Sequence, residues 1–228
     1  DGQEKGGFSF YTLKETAANV MAFQLNLNHL DKTKRELFNN LDFRRALSTG
    51  IDRQALIDAV FVGQGAPAQP SMREGDPLYN EQLSKQYTEF DSDKANTMLD
   101  AIIPSKDGEG YRTDAEGRRV SIIFEIDQTR TTFLDMFELA IPMFQAMGID
   151  AQMRTMDRSL WETRVRRGRE YDATAHQFGA NSGIAAMLDP RFYVPINNNC
   201  FYAPGWSLYY TQPDNADAKA NLELLKKM

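Results

Sequence analysis

His29, His176 and Cys200 are the only histidines and the only cysteine in the chain, and they stand far apart in it. Covalent or acid–base catalysis needs a nucleophile within hydrogen-bond reach of a base that a third group orients. The chain contains no GxSxG, no HExxH and no P-loop, so no catalytic residue is assigned. His176 falls in a strand-like stretch, YDATAHQFG, and reads as a packed or edge histidine rather than a base. One cysteine can neither close an intrachain disulfide nor assemble a thiolate metal site. The segment KDGEGYRTDAEGRR invites a calcium reading, but Asp107, Glu109 and Asp114 lack the alternating ligand spacing ahead of a glycine and a closing glutamate. A solvated hairpin loop is expected there, and no metal or cofactor is assigned. The basic run RVRRGR, residues 164–169, lies beside Trp161, yet the net charge of −6 opposes the basic field that nucleic acid or an anionic membrane demands. The run reads as a solvated helix end with Leu160 and Trp161 turned to the core.

The elements that must position any binding residues are legible from periodicity. At 228 residues, 42% hydrophobic and 25% charged, the chain can bury a sizeable core and has an ordinary globular composition. No apolar run reaches the roughly 18 residues of a membrane span, and the opening DGQEKGG is not a signal peptide. Both ends read as cut, so a piece of a longer protein is expected. In LDFRRALSTGIDRQALIDAVFVGQGAPA, residues 41–68, Asp42 and Asp52 are the expected N-caps of two short helices, with Gly50 and Gly63 as left-handed stops. Ile51 and Leu56 can close a hydrophobic staple. Phe43, Ala46 and Leu47, then Ala55, Leu56, Ala59 and Val60, mark apolar faces. Strands are predicted over 8–14 and 19–27, a loop over 69–90, and a helix over 92–103 stopped before Pro104. A strand over 120–126, a helix over 131–147 containing Pro142, a strand over 149–155, a helix over 157–168 and a strand over 171–179 complete the alternation, which predicts an α/β fold. Beyond 180 the chain turns rich in Asn, Pro and aromatic residues and closes on an amphipathic helix.

The run of arginine-arginine-alanine, isoleucine-aspartate-arginine, an apolar helix and GQGAPA resembles the signature of the family 5 extracellular solute-binding proteins, which include peptide- and nickel-binding components of ABC importers. Asn26 and Asn28, the stretch EFDSDKANTMLDAI and the later order of helices and strands resemble the same family. The resemblance implies one lobe of a type II (cluster C) periplasmic binding protein, a mixed sheet flanked by helices. Residues 1–179 would be the second, ligand-closing lobe, and 180–228 the hinge return that starts to rejoin a missing N-terminal lobe. It further implies a periplasmic, non-enzymatic, monomeric protein that holds an oligopeptide or similar polar solute in an interlobe cleft and delivers it to a permease in the inner membrane, with no nucleic acid involved.

The resemblance also implies site residues. In dipeptide-binding relatives an arginine at the turn after a strand pairs with the ligand carboxylate, and Arg130 stands at that turn; a guanidinium suits the task because its two parallel N–H bonds match a carboxylate. In peptide-binding relatives an acidic residue follows the aromatic-glycine element, here Phe178 and Gly179, and captures the ligand's amino terminus. This chain has Ala180 in that place beside Asn181 and Ser182, which suit a neutral polar group better than a buried ammonium. Trp206 and Tyr209 are candidate aromatic walls. Asp189 before Pro190 resembles the family's aspartate-proline element and reads as a turn. Two rivals stand beside this reading: a small α/β enzyme domain with an unrecognised motif, and a sensor or metal-chelate-binding relative, although two histidines and one cysteine do not make a nickel site.

Overall fold

Ile122, Phe124 and Ile126 alternate along one strand and all three are buried, because successive strand side chains point to opposite faces. The computed structural model describes residues 2–9, 11, 17–179 and 182–215 and sets that strand inside a four-stranded sheet. In chain order the elements are α1 (Gly2–Gly6), β1 (Ala22–Leu25), α2 (Lys32–Asn39), α3 (Leu41–Thr49), α4 (Arg53–Phe61), α5 (Glu81–Lys85), α6 (Ser92–Ile102), β2 (Ser121–Asp127), α7 (Thr131–Ala146), β3 (Asp150–Met156), α8 (Arg158–Trp161), β4 (Ala173–His176), α9 (Gly183–Leu188) and α10 (Leu208–Thr211). The strand order is β1-β4-β2-β3; β2 runs parallel to β3 and β4, and β1 is an antiparallel edge strand. The segment β2–α7–β3 is a parallel pair joined by a crossover helix, as parallel pairing requires. No helix among the described residues is long and apolar enough to cross a membrane.

The main core lies on one face of the sheet. There Ile122, Phe124 and Ile126 meet Phe137 and Phe144 of α7, with Phe43 of α3 and Leu56 of α4 in the same cluster. Phe23 of β1 joins it edge-on, its ring 5.0 Å from Phe137 and 5.8 Å from Phe124. The opposite face carries a smaller cluster of Met156, Trp161, Val165, Tyr171 and Phe201. Glu125 points there and is buried, with Arg164 Nη2 at 2.7 Å and Arg154 Nη1 at 3.2 Å from Oε1. Residues 164–169 are therefore more than a solvated helix end, since a buried carboxylate must be paired. Past Trp161 the helix widens into π-helical turns over Glu162–Gly168 and stops at Arg169, φ 60°. Trp161 is buried as expected, but Leu160 is exposed.

The helical pair also departs from its reading in places. Asp52 caps α4, accepting from the Ala55 N–H at 2.9 Å, and Ile51 and Leu56 both enter the core. α3 begins two residues earlier than expected, so Asn40 caps it through Oδ1 to the Asp42 and Phe43 N–H groups, and Asp42 pairs with Arg45 instead. Gly50 has φ −82° and is not left-handed. A Cβ there would stand 2.1 Å from Met147 Sδ, so close packing is what excludes a side chain. α4 ends on Val62, already left-handed at φ 53°, one residue before Gly63. Ala55 and Ala59 face solvent.

Elsewhere, 69–90 contains the capped turn of α5, and α7 passes through Pro142 without ending. The tips of the 106–119 loop are exposed, but Arg112 within it is fully buried. Its guanidinium ties Met147 O at 2.8 Å, Ile103 O at 2.7 Å and Asp100 Oδ1 at 2.8 Å, which anchors the loop to the ends of α6 and α7. The strand expected over 8–14 falls largely outside the described residues, and Phe8 and Ser9 are not in a strand. Asn181 and the closing helix from 216 onward lie outside them altogether.

Candidate functional site

The turn from β2 into α7 is built by Asp127. Its carboxylate accepts from the Thr129 N–H at 3.0 Å and the Thr129 hydroxyl at 2.8 Å, and its carbonyl accepts from the Arg130 N–H at 3.0 Å. Arg158 Nη1 lies 2.8 Å from the same carboxylate. Burial raises the Asp127 pKa, but the Arg158 and Thr129 donors outweigh it and hold the carboxyl below its ordinary range. Asp127 is thereby committed elsewhere, and Arg130 makes no ion pair among the described residues. The Arg130 guanidinium lies over the Phe133 ring at 5.5 Å and lines a cavity of about 500 Å³ with Gln64, Thr129, Thr131, Thr132 and Gln177. Among the described residues no carboxylate lines it. The cavity sits at the carboxyl ends of the parallel strands β2 and β4, where ligands of open α/β sheets bind.

Phe178 and Gly179 follow β4. The Ala18 N–H donates to Phe178 O at 2.7 Å and the Phe178 N–H donates to Asn19 Oδ1 at 2.8 Å, so the strand exit is held by the segment entering β1. The Phe178 ring stands 5.8 Å from Tyr193 and 6.4 Å from Phe192. Phe178 lines a second, larger cavity of about 850 Å³, which shares Val20, Phe61 and Gln64 with the first. Ser182 caps α9, its hydroxyl accepting from the Ala185 N–H at 3.3 Å. Trp206 lines neither cavity; its backbone N–H donates to Asn28 Oδ1 at 3.1 Å. The structure thus groups Arg130 with Phe178 on adjoining cavities and sets Trp206 apart.

The other chemistry-bearing side chains are structural. His176 packs on Trp161 and Phe201, and burial holds its pKa below the ordinary histidine value. Burial likewise pushes the Cys200 thiol up to about 11. Asp189 caps a 3₁₀ turn over Pro190–Phe192, in keeping with its turn reading. Sequence reasoning missed the hydroxyl and amide groups around Arg130, although the stretch DQTRTT carries three of the threonines in plain view. It also missed that Asn28 Oδ1 collects the Gly205 and Trp206 N–H groups, binding residues 205–206 to the end of β1.

This arrangement has known counterparts. The chain is 24% identical over 131 residues to the periplasmic alpha-galactoside-binding protein of Rhizobium meliloti (strain 1021), a match covering 55% of this chain and 19% of that protein. Its structure superposes on the oligopeptide-binding protein OppA with a TM-score of 0.74 at 25% identity, over 86% of this chain and 30% of that one. The fold is shared with the periplasmic binding protein MelB of Agrobacterium fabrum C58, solved with stachyose, at a TM-score of 0.66 and 17% identity, over 90% of this chain and 35% of MelB. The chain therefore spans about a third or less of the length of these relatives. Its mixed sheet and flanking helices are those of a type II binding protein fold, and the reading as a binder rather than an enzyme agrees with these relatives. The model of the bacterial extracellular solute-binding proteins, family 5 middle region, matches residues 3–199, and the chain belongs to that family.

Proposed function

We propose that this chain is the second lobe of an ABC importer's solute-binding component, closing over an oligopeptide or similar polar solute outside the cytoplasm and presenting it to a permease. Residues 1–179 form the closing lobe in this reading, and 180–228 carry the return toward the rest of the protein. The observation that supports it best is Arg130, a guanidinium without an ion pair among the described residues, beside hydroxyl and amide side chains at the carboxyl ends of β2 and β4. Such a group awaits a carboxylate. Phe178, Gly179, Asn181 and Ser182 follow β4 and would complete this wall of the cleft, with Trp206 further out. Ala180 in place of an acid, and an Arg130 cavity that no carboxylate of the described residues lines, also favour a second reading in which the solute is a carbohydrate, the class named for the Rhizobium relative. The deciding experiment is mass spectrometry of solute released from the full-length protein on denaturation, followed by calorimetry with the identified compound. A bound peptide or carboxylated solute supports the first reading and a neutral sugar the second. Turnover of the compound would overturn both.

A further inference from the structure

The main-chain groups of β1 divide by residue parity. Ala22 and Gln24 stand opposite His176 and Thr174 of β4, and the Asn26 N–H donates to Asp172 O at 2.8 Å, so the even-numbered residues turn their N–H and C=O toward β4. The odd-numbered residues turn theirs outward, because β1 is the sheet edge. At Leu27 these outward groups are satisfied: its N–H donates to Tyr202 O at 2.8 Å and its carbonyl accepts from Asn39 Nδ2 at 2.7 Å. At Met21, Phe23 and Leu25 they meet no partner among the described residues, although all three residues are half-buried.

What they face is the larger cavity, about 850 Å³, whose walls include Leu47, Leu56, Phe124 and Phe144 beside polar residues such as Arg53 and Gln69. Half-buried main-chain polar groups held beside a mainly apolar hollow demand hydrogen-bond partners. The far side, residues 64–73, cannot supply the next strand, since Pro67 and Pro70 lack the donors of a ladder. This hollow runs alongside the sheet, whereas the Arg130 cavity lies at the strand ends.

We propose that an extended, apolar segment of the same full-length polypeptide, from outside these 228 residues, adds to the outer edge of β1 and pairs with Met21, Phe23 and Leu25. Three outward positions at alternate residues span about 13 Å, which a strand of about five residues covers. Its alternate side chains are apolar, to fill the hollow over Phe124 and Phe144. The source is intramolecular because the match covers only 30% and 35% of the two relatives' own chains, which leaves most of their length to supply it, and a tethered strand competes at high effective concentration.

The test is single-residue amide hydrogen exchange on the solute-free full-length protein. Gln24, bonded to β4, is the internal reference. Phe23 and Leu25 should exchange as slowly as Gln24, at least about a hundredfold below unpaired amides. Slow exchange at Gln24 with fast exchange at Phe23 and Leu25 would overturn the proposal by showing an open edge. Fast exchange at all three would overturn it too, as would protection that appears only with added solute or that falls on dilution, which would assign the edge to the solute or to a second copy. None of these outcomes bears on solute binding at Arg130, which calorimetry measures separately.

Discussion

The ring of Phe192 occupies the space that a side chain on Gly179 would need: a Cβ there would stand 2.6 Å from Phe192 Cε2. Gly179 thus fixes how closely the residues after β4 pass the 3₁₀ turn over Pro190–Phe192. Gly179→Ala should overpack this contact and lower stability by about 1–3 kcal/mol, with Phe192→Leu in the same protein recovering part of the loss. Thermal unfolding of the full-length variants measures both.

Arg130 carries the proposed carboxylate contact without any ion pair inside the described fold. Arg130→Ala in the full-length protein should therefore weaken a carboxylate solute by about 10- to 150-fold, the worth of roughly 1.5–3 kcal/mol for a hydrogen bond to a charged group, and leave the melting temperature unchanged. Arg130→Lys should restore only a part, since an ammonium cannot form the paired fork. Calorimetry separates the three proteins.

The caps of the helical pair make a contrast within one motif. Asp52→Ala and Asn40→Ala should each lower stability by about 1 kcal/mol, because each side chain holds backbone N–H groups of a first helical turn. Asp42→Ala removes only an exposed pair with Arg45 and should change stability by no more than about 0.5 kcal/mol. Urea midpoints at constant slope would show this order, and equal effects at positions 40 and 42 would refute it.

Arg112→Met should be the costliest of these substitutions, about 3–5 kcal/mol, since it strands buried carbonyls at Ile103 and Met147. Asp100→Asn should cost far less, because Asp100 is 56% exposed and its charge is shared with water. Chemical denaturation of the pair tests the difference.

Asp172 sets an acid limit. Its carboxylate accepts from His29 Nε2 at 2.9 Å, Lys34 Nζ at 2.5 Å and the Ile123 N–H at 3.0 Å. Burial raises its pKa, but these donors together lower it below the ordinary 3.8. A depressed folded pKa means the unfolded chain takes up the proton first, so the stabilisation is complete above 3.8 and is lost as pH falls through the lower folded value. Asp172→Asn should be less stable at neutral pH and show a flatter decline below pH 3.8, followed by urea midpoint against pH.

The sequence carried the architecture where periodicity and capping agree. The strand over 120–126, the helix over 131–147 and the Asp52 cap are legible because each rests on neighbours within one element. Positions set by distant contacts were not. Asn40 wins the cap of α3 because the turn out of α2 places it there, and Gly50 answers to Met147, nearly a hundred residues on. Arg112 looked like one more charge in a polar loop, and only the ends of α6 and α7 show why it is buried. That Arg130 and Phe178 follow β2 and β4 is visible in the sequence, whereas their bordering adjoining cavities is not. Trp206 was grouped with them by its aromatic character alone, which carries no information about where the chain folds back.

The edge strand also imposes an order on synthesis. Asn26 bonds to a carbonyl 145 residues later and Phe178 to a side chain 159 residues earlier, so β1 cannot pair with β4 until about 150 further residues have left the ribosome. Until then its row of Met21, Phe23 and Leu25 is an unprotected apolar strand in a nascent polypeptide, the kind of segment that holding chaperones retain. Non-local closure of this length also makes for slow folding. The pairing of β1 with β4 is therefore a late step of folding.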